Sequence, residues 1–231
     1  MRAKTLPSSV RAARSSQPPP HRSRSPPHVG GLAPAGLAWI AELYPAGVER
    51  IEVVTTPRLT LRKWRESDER PMAAINRDPE VVRHLNRPVD PEAVEGFFAV
   101  VAAHWDQHGF GFWAVEPRVG PLAGTFVGFV GVAYPTFLPE VAHRPELGWR
   151  LARESWGLGY ATEAAIAARD AATTRLGFDS LISIIHPDNE RSQRVAAKVG
   201  MTIEGSVFNP HLNRTADIWH RAASAAGCSG R

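Results

Sequence analysis

A Gly-x-Gly step running straight into an alanine-rich stretch constrains this chain more than any other feature. It reads ESWGLGYATEA over residues 154–164. The first amides of a helix have no partners within the helix, and the macrodipole adds roughly half a positive charge there. Gly157 and Gly159 let the turn present successive amides with no Cβ in the way. Such a turn seats an anion, and a pyrophosphate fits it well. Ala161, Ala164, Ala165 and Ala168 keep the helix thin on one side, so it lies close to a sheet. The plain alternative is a tight strand-to-helix turn with no ligand.

Two other phosphate loops fail on the residues. A dinucleotide fingerprint needs a small third residue where Thr162 stands, and an acid about 20 residues on, where the next strand ends in His186-Pro187. A P-loop needs Gly-Lys-Ser/Thr, a triplet that is absent.

The flanking pattern predicts a mixed α/β domain with about seven strands and four helices. RLTLRKW (58–64) alternates as a strand with Leu59 and Leu61 on one face, and Ser67 is placed to cap a helix running to about Asn76. Asp90 and Pro91 open a second helix, which Gly109 stops. Three strands follow, at 111–117, 124–134 and 144–152, then the helix Gly159–Leu176. SLISIIH (180–186) reads as a buried strand. NERSQRVAAKVG (189–200) reads as an amphipathic helix with Val195, Ala196 and Val199 inward, and two closing strands complete the fold.

ELGWRLARESWGLGYATEA followed by IHPDNERSQRVAAKVGM resembles the GCN5-related N-acetyltransferase (GNAT) family, in particular its ribosomal-protein-alanine acetyltransferase-like branch. The opening TPRLTLRKWRESD also looks like that branch, so the resemblance covers about residues 55–222. It implies acetyl-CoA as cosubstrate, its pyrophosphate held on the turn Gly157, Leu158, Gly159, Tyr160, Ala161 and Thr162. It implies main-chain pairing of the pantetheine arm along Trp149, Arg150 and Leu151, with an amide there polarising the acetyl oxygen. Asn189, Ser192, Lys198 and Gly200 match the family's second landmark. Asn189 would touch the pantetheine as well as cap its helix, and Ser192 would donate to the departing thiolate. Many relatives use Tyr for that last task, and many carry Gln or Arg where this chain has Glu154. For the general base the candidates are Glu146, then His211, then His186. Trp105, Phe110, Phe112, Trp113 and Phe137 are candidates to line an acceptor pocket, though aromatics at such spacings are more often core.

Composition narrows the alternatives. Residues 1–50 hold seven of the 27 Arg/Lys, two of the 23 Asp/Glu and eight of the 20 prolines. They read as a disordered extension, or as a targeting or nucleic-acid-binding arm. Residues 51–231 carry 20 basic and 21 acidic residues, so nucleic acid is not the expected partner of the body. Residues 223–231 read as a flexible tail. The single cysteine, Cys228, excludes an intrachain disulfide, suits a cytoplasmic setting and argues against an acyl-enzyme. There is no H-E-x-x-H motif, and no metal site and no membrane partner are expected. The reading is therefore an acetyl-CoA-dependent N-acetyltransferase acting directly on a primary amine, either a small molecule or a protein N-terminus, with a homodimer possible. A related domain that binds acyl-CoA without catalysis is the alternative.

Overall fold

The computed structural model describes residues 51–85, 91–209 and 213–222, with side chains from Gly96 onward in the second stretch. The described residues build an eight-stranded sheet in the order β1-β2-β3-β4-β5-β6-β8-β7. Its strands are β1 (Val53–Thr55), β2 (Leu59–Arg62), β3 (Phe112–Pro117), β4 (Gly128–Ala133), β5 (Glu146–Leu151), β6 (Ser180–Ile185), β7 (Thr202–Asn209) and β8 (Arg214–Ala222). The helices are α1 (Glu69–Arg77), α2 (Pro79–Val82), α3 (Pro91–His108), α4 (Tyr160–Thr174) and α5 (Glu190–Val199). Every strand pair is antiparallel except β5 with β6, which α4 joins as a crossover.

Strand alternation assigns the helices to the two faces of the sheet. Arg150 of β5 donates to Asn76 of α1 and lies over the rings of Phe97 and Phe129, so residues 146, 148 and 150 face α1 and α3. Trp149 instead reaches Ser192 of α5, so residues 147, 149 and 151 face α4 and α5. Ala164, Ala165 and Ala168 are completely buried, which is the close helix-to-sheet approach that the alanine stripe predicts. Leu59 and Leu61 are buried as their alternation requires.

Three local readings are corrected. The first turn after β2 is a 3-10 turn, Glu66–Asp68, and Ser67 caps nothing. Asp68 holds that turn instead, accepting from the Arg65 amide at 2.8 Å while gripping Arg62 with both carboxylate oxygens, at 2.7 and 2.9 Å. β1 and α2 add a strand and a helix to the count, each too short to carry a visible period. The strand expected at 124–134 starts only at Gly128, because residues 118–125 turn. The 1–50 extension, the Asp90 cap and the 223–231 tail lie outside the described residues.

Candidate active site

The site grows from the parallel pair β5–β6. These strands register at Glu146–Ile182, where the Ile182 amide donates to the Pro145 carbonyl at 3.0 Å. The Ser183 hydroxyl reaches the Leu147 carbonyl at 2.6 Å. Beyond that point β5 keeps its β4 partner and leaves β6, opening a gap. Pro145 and Leu147 turn their carbonyls toward β6, so alternation turns the main chain of Trp149 and Leu151 the same way. The main chain of Arg150 faces β4, across from Phe129. The Leu151 carbonyl already accepts from the Trp156 indole at 2.9 Å.

At one end of the gap stands the glycine turn. Gly157 has φ +78° and Gly159 +79°, both in the left-handed region. A Cβ built on Gly157 meets no protein atom within 4 Å, so open space lies beside the turn. Leu158 is exposed, Tyr160 is buried, and Ala161 and Thr162 are half-buried in the first turn of α4. Across the gap, Asn189 Oδ1 accepts from the Ser192 amide at 3.1 Å, capping α5. Arg191 lies 4.4 Å over the Trp156 ring, joining the first turn of α5 to the residue before Gly157.

At the other end is a cavity of about 370 Å³. Glu146, Trp149, Arg150, Asn189 and Ser192 all line it. The carboxylate of Glu146 leans over Gly148, with Oε1 4.0 Å from where a Cβ would stand, and the Phe112 ring approaches the same point to 3.1 Å. The Trp149 indole donates to Ser192 Oγ at 3.3 Å, leaving the hydroxyl proton of Ser192 directed elsewhere. Of the aromatics singled out in the sequence, Phe112 and Phe137 line the cavity, whereas Trp105, Phe110 and Trp113 are core.

Four histidines also border the cavity: His84, His104, His108 and His186. His104 and His108 are one turn apart on α3, an H-x-x-x-H spacing that sequence reasoning passed over. His104 Nδ1–H donates to the Phe110 carbonyl at 2.8 Å, and Nε2 accepts from the Tyr134 amide at 3.2 Å. Burial, then the neighbouring His108, lowers its pKa to about 4. Both nitrogens are committed, so His104 is neither ligand nor base. His186 Nδ1 accepts from the Asp188 amide at 3.1 Å and lies 3.8 Å from the Asp188 carboxylate, so the ring is held by the turn after β6. The His84 ring lies 5.3 Å from that of His186, and burial, then His186, lowers its pKa. His211 lies outside the described residues. Among the described residues no three His, Cys, Asp or Glu side chains gather as metal ligands, and no helix is long and apolar enough to cross a membrane.

A sheet splayed between two parallel strands, with a glycine turn opening the helix between them, is the architecture of an acyl-CoA N-acyltransferase. A family model described as "Acetyltransferase (GNAT) domain" matches residues 58–202. The chain belongs to the GNAT family of acetyltransferases. It is 27% identical over 157 residues to the Bacillus subtilis protein YoaA, named as an uncharacterized N-acetyltransferase, covering 66% of this chain and 84% of YoaA. It superposes on an acetyltransferase of Agrobacterium tumefaciens with TM-score 0.64 at 28% identity, over 75% of this chain and 95% of that one. RimL, a ribosomal L7/L12 alpha-N-protein acetyltransferase solved in complex with coenzyme A, shares the fold at TM-score 0.60 and 15% identity, over 75% and 99%.

Proposed function

We propose that this chain transfers an acetyl group from acetyl-CoA directly to a primary amine, of a small molecule or a protein N-terminus. The observation that carries the reading is the β5–β6 gap. It runs from an anion-ready glycine turn to a cavity holding a carboxylate and a hydroxyl. The residues fit the cosubstrate: the turn offers open amides at a helix start, and the Trp149 main chain offers an unpaired strand edge.

The chemistry needs a polarised carbonyl, a neutral amine and a protonated leaving group. The Trp149 amide faces the gap and polarises the acetyl oxygen. Glu146, on the α1–α3 face, takes the amine proton, directly or through water; a base at this point suits acceptor entry from that side. The amine nitrogen forms the new C–N bond as the C–S bond breaks, and the electron pair leaves on sulfur. Ser192, aligned by the Trp149 indole and by the α5 cap, donates to that thiolate. Both ring nitrogens of His104 are committed and His186 is held by the turn after β6, which favours Glu146.

Two measurements test this together. An acceptor screen should show thiol release from acetyl-CoA with at least one amine. Gly157→Asp should abolish coenzyme A binding by calorimetry, since it adds a negative charge beside the turn; its Cβ meets no protein atom, and its cost to folding is the backbone strain at φ +78°. Gly159→Asp is the poorer choice, because its Cβ would stand 3.3 Å from Arg58 Nη2. A folded Gly157→Asp protein that binds coenzyme A like wild type refutes the assignment of the turn.

A further inference from the structure

Behind the glycine turn lies a cluster that the chemistry above does not use. Glu163, in the first turn of α4, accepts three hydrogen bonds from the corner before β2. Oε1 takes them from the Thr56 hydroxyl at 2.6 Å and the Arg58 amide at 3.0 Å. Oε2 takes one from Arg58 Nε at 2.6 Å. The same guanidinium continues past the carboxylate, and its Nη1 donates to the Leu158 carbonyl at 2.9 Å. The corner is firmly set: the Thr56 amide donates to the Leu59 carbonyl at 2.9 Å and the Arg118 amide to the Arg58 carbonyl at 2.7 Å.

The turn itself has little else to hold it. Gly157, Leu158 and Gly159 combine two glycines, which have wide conformational freedom, with a leucine that is 41% exposed. Among the described residues, no other side chain hydrogen-bonds the main chain of these three. In a trans peptide the carbonyl oxygen and the following amide hydrogen point in opposite directions. When Arg58 draws the Leu158 carbonyl to the rear, it turns the Gly159 amide to the front.

We infer that Arg58 is a positioning residue for the donor, fixed by Glu163 and Thr56 so that its grip on the Leu158 carbonyl aims the Gly159 amide at the diphosphate of coenzyme A. The inference rests on the donor reading given above and adds to it a residue about 100 positions upstream of the turn. Arg58 also pairs with the one carboxylate in the first turn of α4, so that charge does not face the anionic ligand alone. A lysine keeps the charge but lacks the planar fork needed to reach Glu163 and Leu158 at once.

The test measures coenzyme A affinity by calorimetry for the full chain, for Arg58→Ala and for Arg58→Lys, with circular dichroism to verify folding. Both variants are expected to bind about tenfold more weakly, the loss of one charge-assisted hydrogen bond. With an acceptor from the screen, KM for acetyl-CoA should rise while kcat at saturating donor stays unchanged. Affinity within twofold of wild type in a folded Arg58→Ala protein overturns the inference. Wild-type affinity in Arg58→Lys also overturns it, since charge alone would then suffice; this variant carries the test if the alanine fails to fold. A wild-type chain that binds no coenzyme A refutes the donor reading itself, a result distinct from either of these.

Discussion

Ser192 is where chemistry and binding separate most cleanly. Its amide is tied to the Asn189 cap and its oxygen to the Trp149 indole, so its position does not depend on the hydroxyl proton. Ser192→Ala is therefore expected to lower kcat roughly tenfold to a hundredfold, the low end for general-acid assistance, because a thiolate is already a fair leaving group. Coenzyme A affinity should stay within a few-fold. Steady-state kinetics beside calorimetry make the check, and an unchanged kcat would move protonation to water or another group. The resemblance to the family's second landmark pointed to Asn189 and Ser192, and the Gly-x-Gly step before a helix pointed to the turn. The sequence did not show that Asp188 holds the His186 ring, nor that Arg58 grips Leu158. The first depends on how the chain turns after β6, the second on a contact spanning 100 positions, and neither leaves a periodic trace.

At the level of elements, the periodic pieces were legible and the short ones were not. α3, α4 and α5 run long enough to repeat an apolar face, and β6 is a run of branched residues. β1 spans three residues and α2 four, too few to repeat their periods of about 2 and 3.6 twice. The turn between β2 and α1 was misread because Asp68, not Ser67, satisfies it. That carboxylate is almost fully buried and its partner Arg62 nearly so. Asp68→Ala should destabilise the fold by about 3 kcal/mol, the lower part of the range for breaking a buried pair, since Glu116 still meets Arg62 at 2.9 Å. Urea unfolding reads this directly, and a loss below about 1 kcal/mol would mean Glu116 or water replaces the bond. Asn189→Ala should cost α5 about 1 kcal/mol through its lost cap and weaken coenzyme A binding as well. Unfolding and calorimetry on one sample separate the two effects.

For the whole molecule, His104 ties stability to acidity. Its folded pKa, about 4, lies below the ordinary histidine value of 6.5. The unfolded chain then binds the extra proton between those values, so stability is full above about pH 6.5 and declines as pH falls toward 4. The loss amounts to about 3 kcal/mol if His104 acts alone. Melting temperature against pH should show this slope, and His104→Gln should flatten it; an equally steep curve in the variant would assign the slope to other groups. Ile51 is fully buried and its carbonyl takes the Trp113 indole at 2.8 Å. Removing residues 1–50 is expected to shift the melting temperature by no more than about 2 °C, and a larger fall would mean that the extension packs on the body. The clamp on the glycine turn has a last consequence, for the order in which the chain becomes competent. Glu163 and Arg58 are 105 positions apart, so their bond closes one of the longest loops in the domain. Contacts of such separation form after local helices and hairpins. During synthesis the proposed donor seat remains unbuilt until α4 has emerged and folded back on the corner before β2. On the proposed donor reading, the seat for coenzyme A is thus completed late, when the middle of the described fold has met its β2 edge.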